Sequence, residues 1–339
     1  MTVTAPAARK PTAWLKLNGK TVPVKSVCVT QSKTKRGDSF KAKTAMSALP
    51  AGLDLTTATD IDAQVFLNGA QIFDGVLDHT DYHWDSLTIE LSGRDKGSAL
   101  MDKTTSQKFL NQQPTQIVQQ YAEQHGLKAD IDQPEALAGK QYSADLAKIT
   151  HRGSQWSTIN ELADLFGMDC YITGATVYFK NTPEQLPTYQ LTYVKPPAPG
   201  SNMMRLETSR NHMLGRPVKT NVRSRHHKKK QTFTAQVQSE GSGEPLVYNH
   251  VIPGMTQDQV KRVAQKKHDE TIAHELSITG LEIPGDETLN ARFLLNLTGT
   301  GTAFDTQYQI IQVEHDASVD GGYICRIGCK TKGKGKKDS

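Results

Sequence analysis

The stretch FDGVLDHTDYHWDSLTIELSGRDK, from Phe73 to Lys96, decides how the chain reads, because YQIIQVEHDASVDGGYICRIGCKTK, from Tyr308 to Lys332, repeats its pattern. Placing His79 on His315 puts Asp78 on Glu314, Leu87 on Tyr323, Ile89 on Cys325, Leu91 on Ile327 and Arg94 on Lys330 with no gap. Each stretch runs as an apolar strand, an acid-His pair, a short polar turn and a second strand of alternating apolar residues. That is the period-2 pattern of a half-buried sheet. Chance likeness between alternating strands is the plain alternative. A duplicated β module accounts for the match without any shared catalytic residue, and it points toward assembly rather than chemistry.

The chain has 339 residues, enough for two or three domains with cores of their own. Hydrophobic residues make up 36%, and the mean hydropathy of −0.53 suits thin β domains with much surface. No run approaches the ~18 apolar residues that suggest a bilayer span. The first residues, MTVTAPAARKPTAWLKLNGK, lack the apolar core of a signal peptide, so synthesis and folding in the cytoplasm are expected. The four cysteines, Cys28, Cys170, Cys325 and Cys329, include no CxxC pair, so neither a metal site nor a disulfide framework is expected. The net charge of +5 is concentrated in RSRHHKKK, Arg223 to Lys230, and KTKGKGKK, Lys330 to Lys337.

In WLKLNGKTVPVKSVCVT, Leu15 and Leu17 face Val22 and Val24 across Asn18-Gly19, a pair suited to a type I′ hairpin turn. Asn68-Gly69 repeats that signal. After a flexible arm over 1–11, residues 12–100 read as one antiparallel β-barrel. The period then changes. In PTQIVQQYAEQHG, Pro114 starts a helix that buries Ile117, Val118, Tyr121 and Ala122 and stops at Gly126. In SQWSTINELADLFG, Trp156, Ile159, Leu162, Ala163 and Phe166 share a face and Gly167 takes a left-handed cap. A hairpin turning near Gly174 follows, which makes 101–193 a small α/β insertion. The Pro-rich stretch 194–202 is a linker. Residues 203–330 read as a second β-barrel with a helix at about 256–276 capped by Thr256, and 331–339 as a disordered Lys-rich tail.

No phosphate loop, nucleophile elbow, HExxH or EF-hand loop is present, and GTGTAF at 299–304 reads as a turn. His79 and His83 lack a third ligand at metal spacing. Glu161 and Asp164 sit on the polar side of an amphipathic helix rather than in an aromatic cleft, although paired carboxylates are what a sugar hydrolase needs. No catalytic residue, metal or cofactor is therefore expected. The run containing Arg223, Arg225, Lys228, Lys229 and Lys230 is either a solvated loop or an electrostatic footprint for DNA or an acidic partner.

The order of these soft features resembles the phage late control protein D family: the N-terminal hairpin, SGRDKGSAL at 92–100, WSTINELADLFGMDCYITGATVYFKN at 156–181 and the terminal YQIIQVEHDASVDGGYICRI. That family is similar to the hub part of contractile-tail baseplates and to the base of type VI secretion spikes. The resemblance implies a mainly β protein, two related barrels plus an α/β insertion, assembling as a homotrimeric ring. Such a ring adapts a sixfold tail tube to a separate threefold spike, lines part of the DNA channel and meets other baseplate proteins. The expected location is the virion tail baseplate, assembled in the host cytoplasm without membrane insertion. Asp78, His79, Glu314 and His315 are the candidate tube or intersubunit contacts. The alternatives are a tail-tip peptidoglycan hydrolase and the hub of a phage-like bacteriocin or type VI particle.

Overall fold

The computed structural model describes residues 2–4, 11–33, 37–105, 113–132, 153–181, 186–196, 200–226, 231–252 and 255–331. Strand β1 is Thr2–Thr4. A first β unit holds β2 (Ala13–Leu17), β3 (Lys20–Pro23), β4 (Ser26–Ser32), β5 (Ser39–Ala45), β6 (Asp62–Leu67), β7 (Ala70–His83) and β8 (Thr88–Asp95). Helix α1 (Ser98–Asp102), β9 (Thr104–Thr105), α2 (Pro114–Gln124), β10 (Lys128–Ile131), β11 (Gly153–Ser154), α3 (Gln155–Phe166), β12 (Asp169–Thr173) and β13 (Thr176–Lys180) follow. A second β unit holds β14 (Thr188–Thr192), β15 (Arg205–Arg210), β19 (Leu276–Pro284), β20 (Leu294–Thr298), β21 (Gln307–Ser318) and β22 (Gly322–Thr331). Between β15 and β19 lie β16 (Val218–His226), β17 (Gln231–Gln238), β18 (Leu246–Val251) and α4 (Gln257–Ile272).

Local chemistry explains the turns and caps. Asn18 and Gly19 take φ of 46° and 78°, and Asn68 and Gly69 take 49° and 87°, the paired positive values of a type I′ turn. The Ser154 hydroxyl caps α3 by accepting the Ser157 amide, and Gly167 closes it at φ 71°. In α2 a reciprocal Gln113–Gln116 capping box spans Pro114, which sits at the first helical position. Helix α4 begins at the Thr256 cap but stops four residues short of the expected end. Leu276 already pairs with Arg210 in the sheet, so tertiary pairing outbids helix continuation there.

The two β units share one pairing plan. The first is ordered β4-β5-β8-β7-β6-β2, the second β15-β19-β22-β21-β20-β14. One place differs in direction: β2 runs antiparallel to β6, whereas β14 runs parallel to β20. The units are not separate barrels. Strand β21 also pairs with β4, which merges them into one 14-stranded sheet, and the strand path among the described residues is branched and open. A single apolar cluster runs through both, with Leu15, Val65 and Ile89 from the first unit and Tyr308, Ile310 and Ile327 from the second.

A second cluster packs α2 and α3 on β12 and β13, and includes every apolar residue the helical periodicity picked out. A third joins Val222 on β16 to Val260, Val263 and Ala264 of α4. No described helix is long and apolar enough to cross a membrane.

Candidate functional site

The repeated hairpins β7–β8 and β21–β22 contain the candidate contacts, and their hydrogen-bond registers show how the repeat is built. The second strands superpose as the sequence suggests: Ser39 faces Arg94 and Phe40 faces Gly93, as Ser277 faces Lys330 and Ile278 faces Cys329. The first strands do not. Leu77 and His79 face Gly93 and Ser92 around a bulge at Asp78, whereas Ile310 and Gln312 face Cys329 and Gly328 around a bulge at Ile311.

The structural counterpart of His79 is thus Gln312, three positions before His315, and Tyr82 is the counterpart of His315. The reason is loop length. The first hairpin ends at His83 opposite Thr88, whereas the second continues through Ala317–Tyr323 and Ser318–Gly322 before turning. The duplicated element is the bulge; the acid-His pair is not.

The four candidate residues consequently sit in unlike surroundings. Asp78 accepts both Nε and an Nη of Arg94 at 2.7 and 3.0 Å, and Arg94 reaches Asp102 as well. These bonds hold the Arg94 guanidinium well above its ordinary pKa. His79 is exposed and meets the Asp81 carboxylate at 3.0 Å. Glu314 faces Thr30 on one side and Arg326 on the other, and Arg326 also binds Asp316.

His315 is wholly buried, with Nδ1 at 2.8 Å from the Tyr323 hydroxyl and Nε2 without a partner. Burial pushes its pKa down to about 4, against a smaller upward pull from Asp286. The same pocket raises the Cys325 thiol to about 12, and Asp286 accepts the Tyr189 hydroxyl at 2.8 Å. His315 belongs to the interior and does not reach a surface in this structure.

The first unit buries a different titratable group. Asp95 is 1% exposed and accepts the amides of Asp38 and Gly97 at 2.6 and 2.9 Å, while Asp38 accepts the Ser32 amide. Burial, with Asp38 nearby, raises Asp95 to about 6. Arg292 packs its guanidinium 4.1 Å from the Tyr171 ring and donates to the Ile172 carbonyl, tying the second unit to β12. Arg292 and Tyr171, with Asp132, Asp169 and Lys180, line a cavity of about 250 Å³.

Of the basic run, Arg223 and Arg225 are exposed on β16, and Lys228, Lys229 and Lys230 lie outside the described residues. The carboxylates weighed for hydrolysis do not form a pair. Asp164 approaches Lys266 at 3.6 Å, and Glu161 points to solvent on α3. Among the described residues no cluster of three or more His, Cys, Asp or Glu is arranged to hold a metal ion. Sequence reasoning missed β15, the outer strand of the second unit. Its RLETSR carries one strong apolar residue and four exposed positions, too weak an alternation to read.

No family model matches the chain, and no curated protein matches it. Solved structures do. A 43 kDa tail protein of prophage MuSo2 from Shewanella oneidensis superposes with a TM-score of 0.71 at 16% identity, covering 94% of this chain and 98% of that one. A tail protein of Neisseria meningitidis MC58 gives 0.75 at 11% identity, covering 95% and 97%. An Escherichia coli component of the type VI secretion system, described as structurally similar to bacteriophage T4 tail proteins, gives 0.60 at 12% identity, covering 93% and 76%. The chain shares the fold of these phage tail and type VI secretion system proteins.

Proposed function

We propose that the protein is a structural hub of a phage tail or tail-like injection particle, a homotrimer that joins a sixfold tail tube to a separate threefold spike. The observation that carries this reading is the shared pairing plan of the two β units. Three chains with two like units each present six like units to a tube, while the insertions from α1 to β13 and from β16 to α4 occur once per chain and keep a threefold pattern for the spike. The similarity to tail and spike-associated folds supports the same role. Its work is symmetry matching and later release of the spike rather than a reaction.

In this reading the α/β insertion ends before β14, so the Pro-rich stretch 194–202, expected as a domain linker, lies inside the second β unit between β14 and β15, and the expected flexible arm 1–11 contains β1, which pairs parallel with β14. Exposed Arg223 and Arg225 offer cationic contacts to passing DNA or to an acidic baseplate partner. The particle is a virion tail, with assembly in the host cytoplasm.

Light scattering on the purified chain, alone and with the spike protein encoded beside it, tests the proposal. A trimer, or a monomer that becomes a 3:3 complex with the spike, is the expected result. A monomer indifferent to spike and tube proteins overturns it.

A further inference from the structure

Inside one chain, the outer edge of the first unit is already occupied. Strand β4 pairs antiparallel with the second half of β21, from Gln312 opposite Ser32 to Ser318 opposite Ser26. The second unit contains the counterparts of both partners. Strand β15 takes the place of β4: Val27 pairs with Ala42 and Val29 with Phe40, as Leu206 pairs with Leu281 and Thr208 with Ile278. The second half of β7 takes the place of β21, as the bulges establish.

Both counterpart edges are bare. Among the described residues, strand β15 pairs only with β19. Strand β6 covers β7 as far as Val76 and the Leu77 amide donates to the Ile61 carbonyl, which leaves Asp78–His83 without an outer strand partner among the described residues. An unpaired strand edge is a template for another chain.

We propose that β15 of one copy pairs antiparallel with His79–His83 of a second copy, in the register by which β4 meets β21. Carrying that register across places Thr208 opposite Tyr82, Glu207 opposite His83, and Leu206 opposite Trp84. The side chains suit these neighbours. Trp84 is 71% exposed and stacked on Tyr82, an aromatic surface with nothing over it among the described residues. Leu206 is the one strongly apolar residue on β15, and the counterpart pair, Val27 opposite Ala317, is fully buried. A carboxylate opposite His83 gives an opposite-charge pair when the imidazole is protonated.

The contact is heterologous, because each copy offers one β15 edge and one β7 edge. It repeats head to tail and closes only as a ring. The inference rests on the hub reading and specifies how its copies join.

Cross-strand positions in an antiparallel pair lie ~4.5–5.5 Å apart between Cα atoms, within disulfide reach. Full-length H83C and E207C proteins, mixed and oxidised, are expected to give a disulfide-linked dimer. Each variant alone, and H83C mixed with V247C on the distant β18, are expected to give none. Should either variant fail to fold, D81C with S209C probes the same register. A chain carrying both substitutions is expected to form covalent species up to the copy number found by light scattering, and no larger.

A ring by light scattering with no specific cross-link at either pair overturns the edge pairing and leaves the hub reading standing. A chain that stays monomeric at every concentration, with the spike and tube proteins as without them, and forms no cross-link overturns both.

Discussion

The hairpin β7–β8 and its counterpart β21–β22 share a bulge and a register, yet one leaves its outer edge open and the other has it covered by β4. The covered copy buries a histidine where the open copy has the half-exposed Tyr82, and the open copy instead carries the buried Asp95 at its far end. A duplicated backbone has thus been put to two ends, one as interior and one as margin. Burial of the second hairpin follows from what packs on it rather than from its own pattern.

The largest expected effect comes from the bulge itself. A Cβ on Gly93 would sit 2.0 Å from the Val76 carbonyl oxygen, whereas its counterpart Cys329 accommodates a side chain. Gly93→Val is expected to cost about 3 kcal/mol or more, measured by urea unfolding. A cost near zero would mean that the first bulge is as roomy as the second.

The two buried titratable groups separate the hairpins by pH. His315 has a folded pKa of about 4 against an ordinary ~6.5, so the unfolded chain binds the extra proton between these values. Its contribution to stability is present above pH ~6.5 and is lost as pH falls toward 4, by about 3 kcal/mol in all. Asp95, raised to about 6, acts in reverse, because the folded state holds the proton and stability declines as pH rises from ~3.9 to 6. The slopes oppose each other where the windows overlap. Thermal melts of His315→Leu should show stability falling with rising pH there, and those of Asp95→Asn should show it rising. Matching slopes in the two variants would refute the assignment of opposite signs.

The arginine clusters make a smaller difference. Arg94 with Asp78 and Asp102, and Arg326 with Glu314 and Asp316, are both partly solvated, so Arg94→Ala and Arg326→Ala should each cost about 1 kcal/mol or less and weaken further in salt. A much larger loss for Arg326 alone would show that the covered hairpin shields its ion pairs. The smallest effect on the monomer is expected for Trp84→Ser, within about 0.5 kcal/mol because the ring is mostly in water. If copies join through β15 and β7, the same variant should lose oligomer mass by light scattering while its melting point stays put.

Much of the fold was legible in the residues. Asn18-Gly19 and Asn68-Gly69 specify their turns through positive φ, Ser154 and Gly167 bracket α3, and 3.6-residue spacing places Trp156, Ile159 and Leu162 inward. What resisted reading depends on partners remote in sequence. Strand β15 looks like loop until β19 pairs with it, and α4 ends where β19 begins. His79 and His315 look alike in sequence, but one is exposed and the other enclosed by Tyr323 and Cys325.

By itself the sequence determined the local geometry and the presence of a repeated β hairpin, because turn conformation, capping and period-2 alternation act over a few residues. Only the tertiary structure decided the register of that repeat, the fusion of the two units through β4 and β21, and which copy of the hairpin is left with a free edge. Those depend on the lengths of the loops at 84–87 and 319–321 and on backbone hydrogen bonds between distant strands. Every residue can make such bonds, so side-chain identity does not record which strands make them.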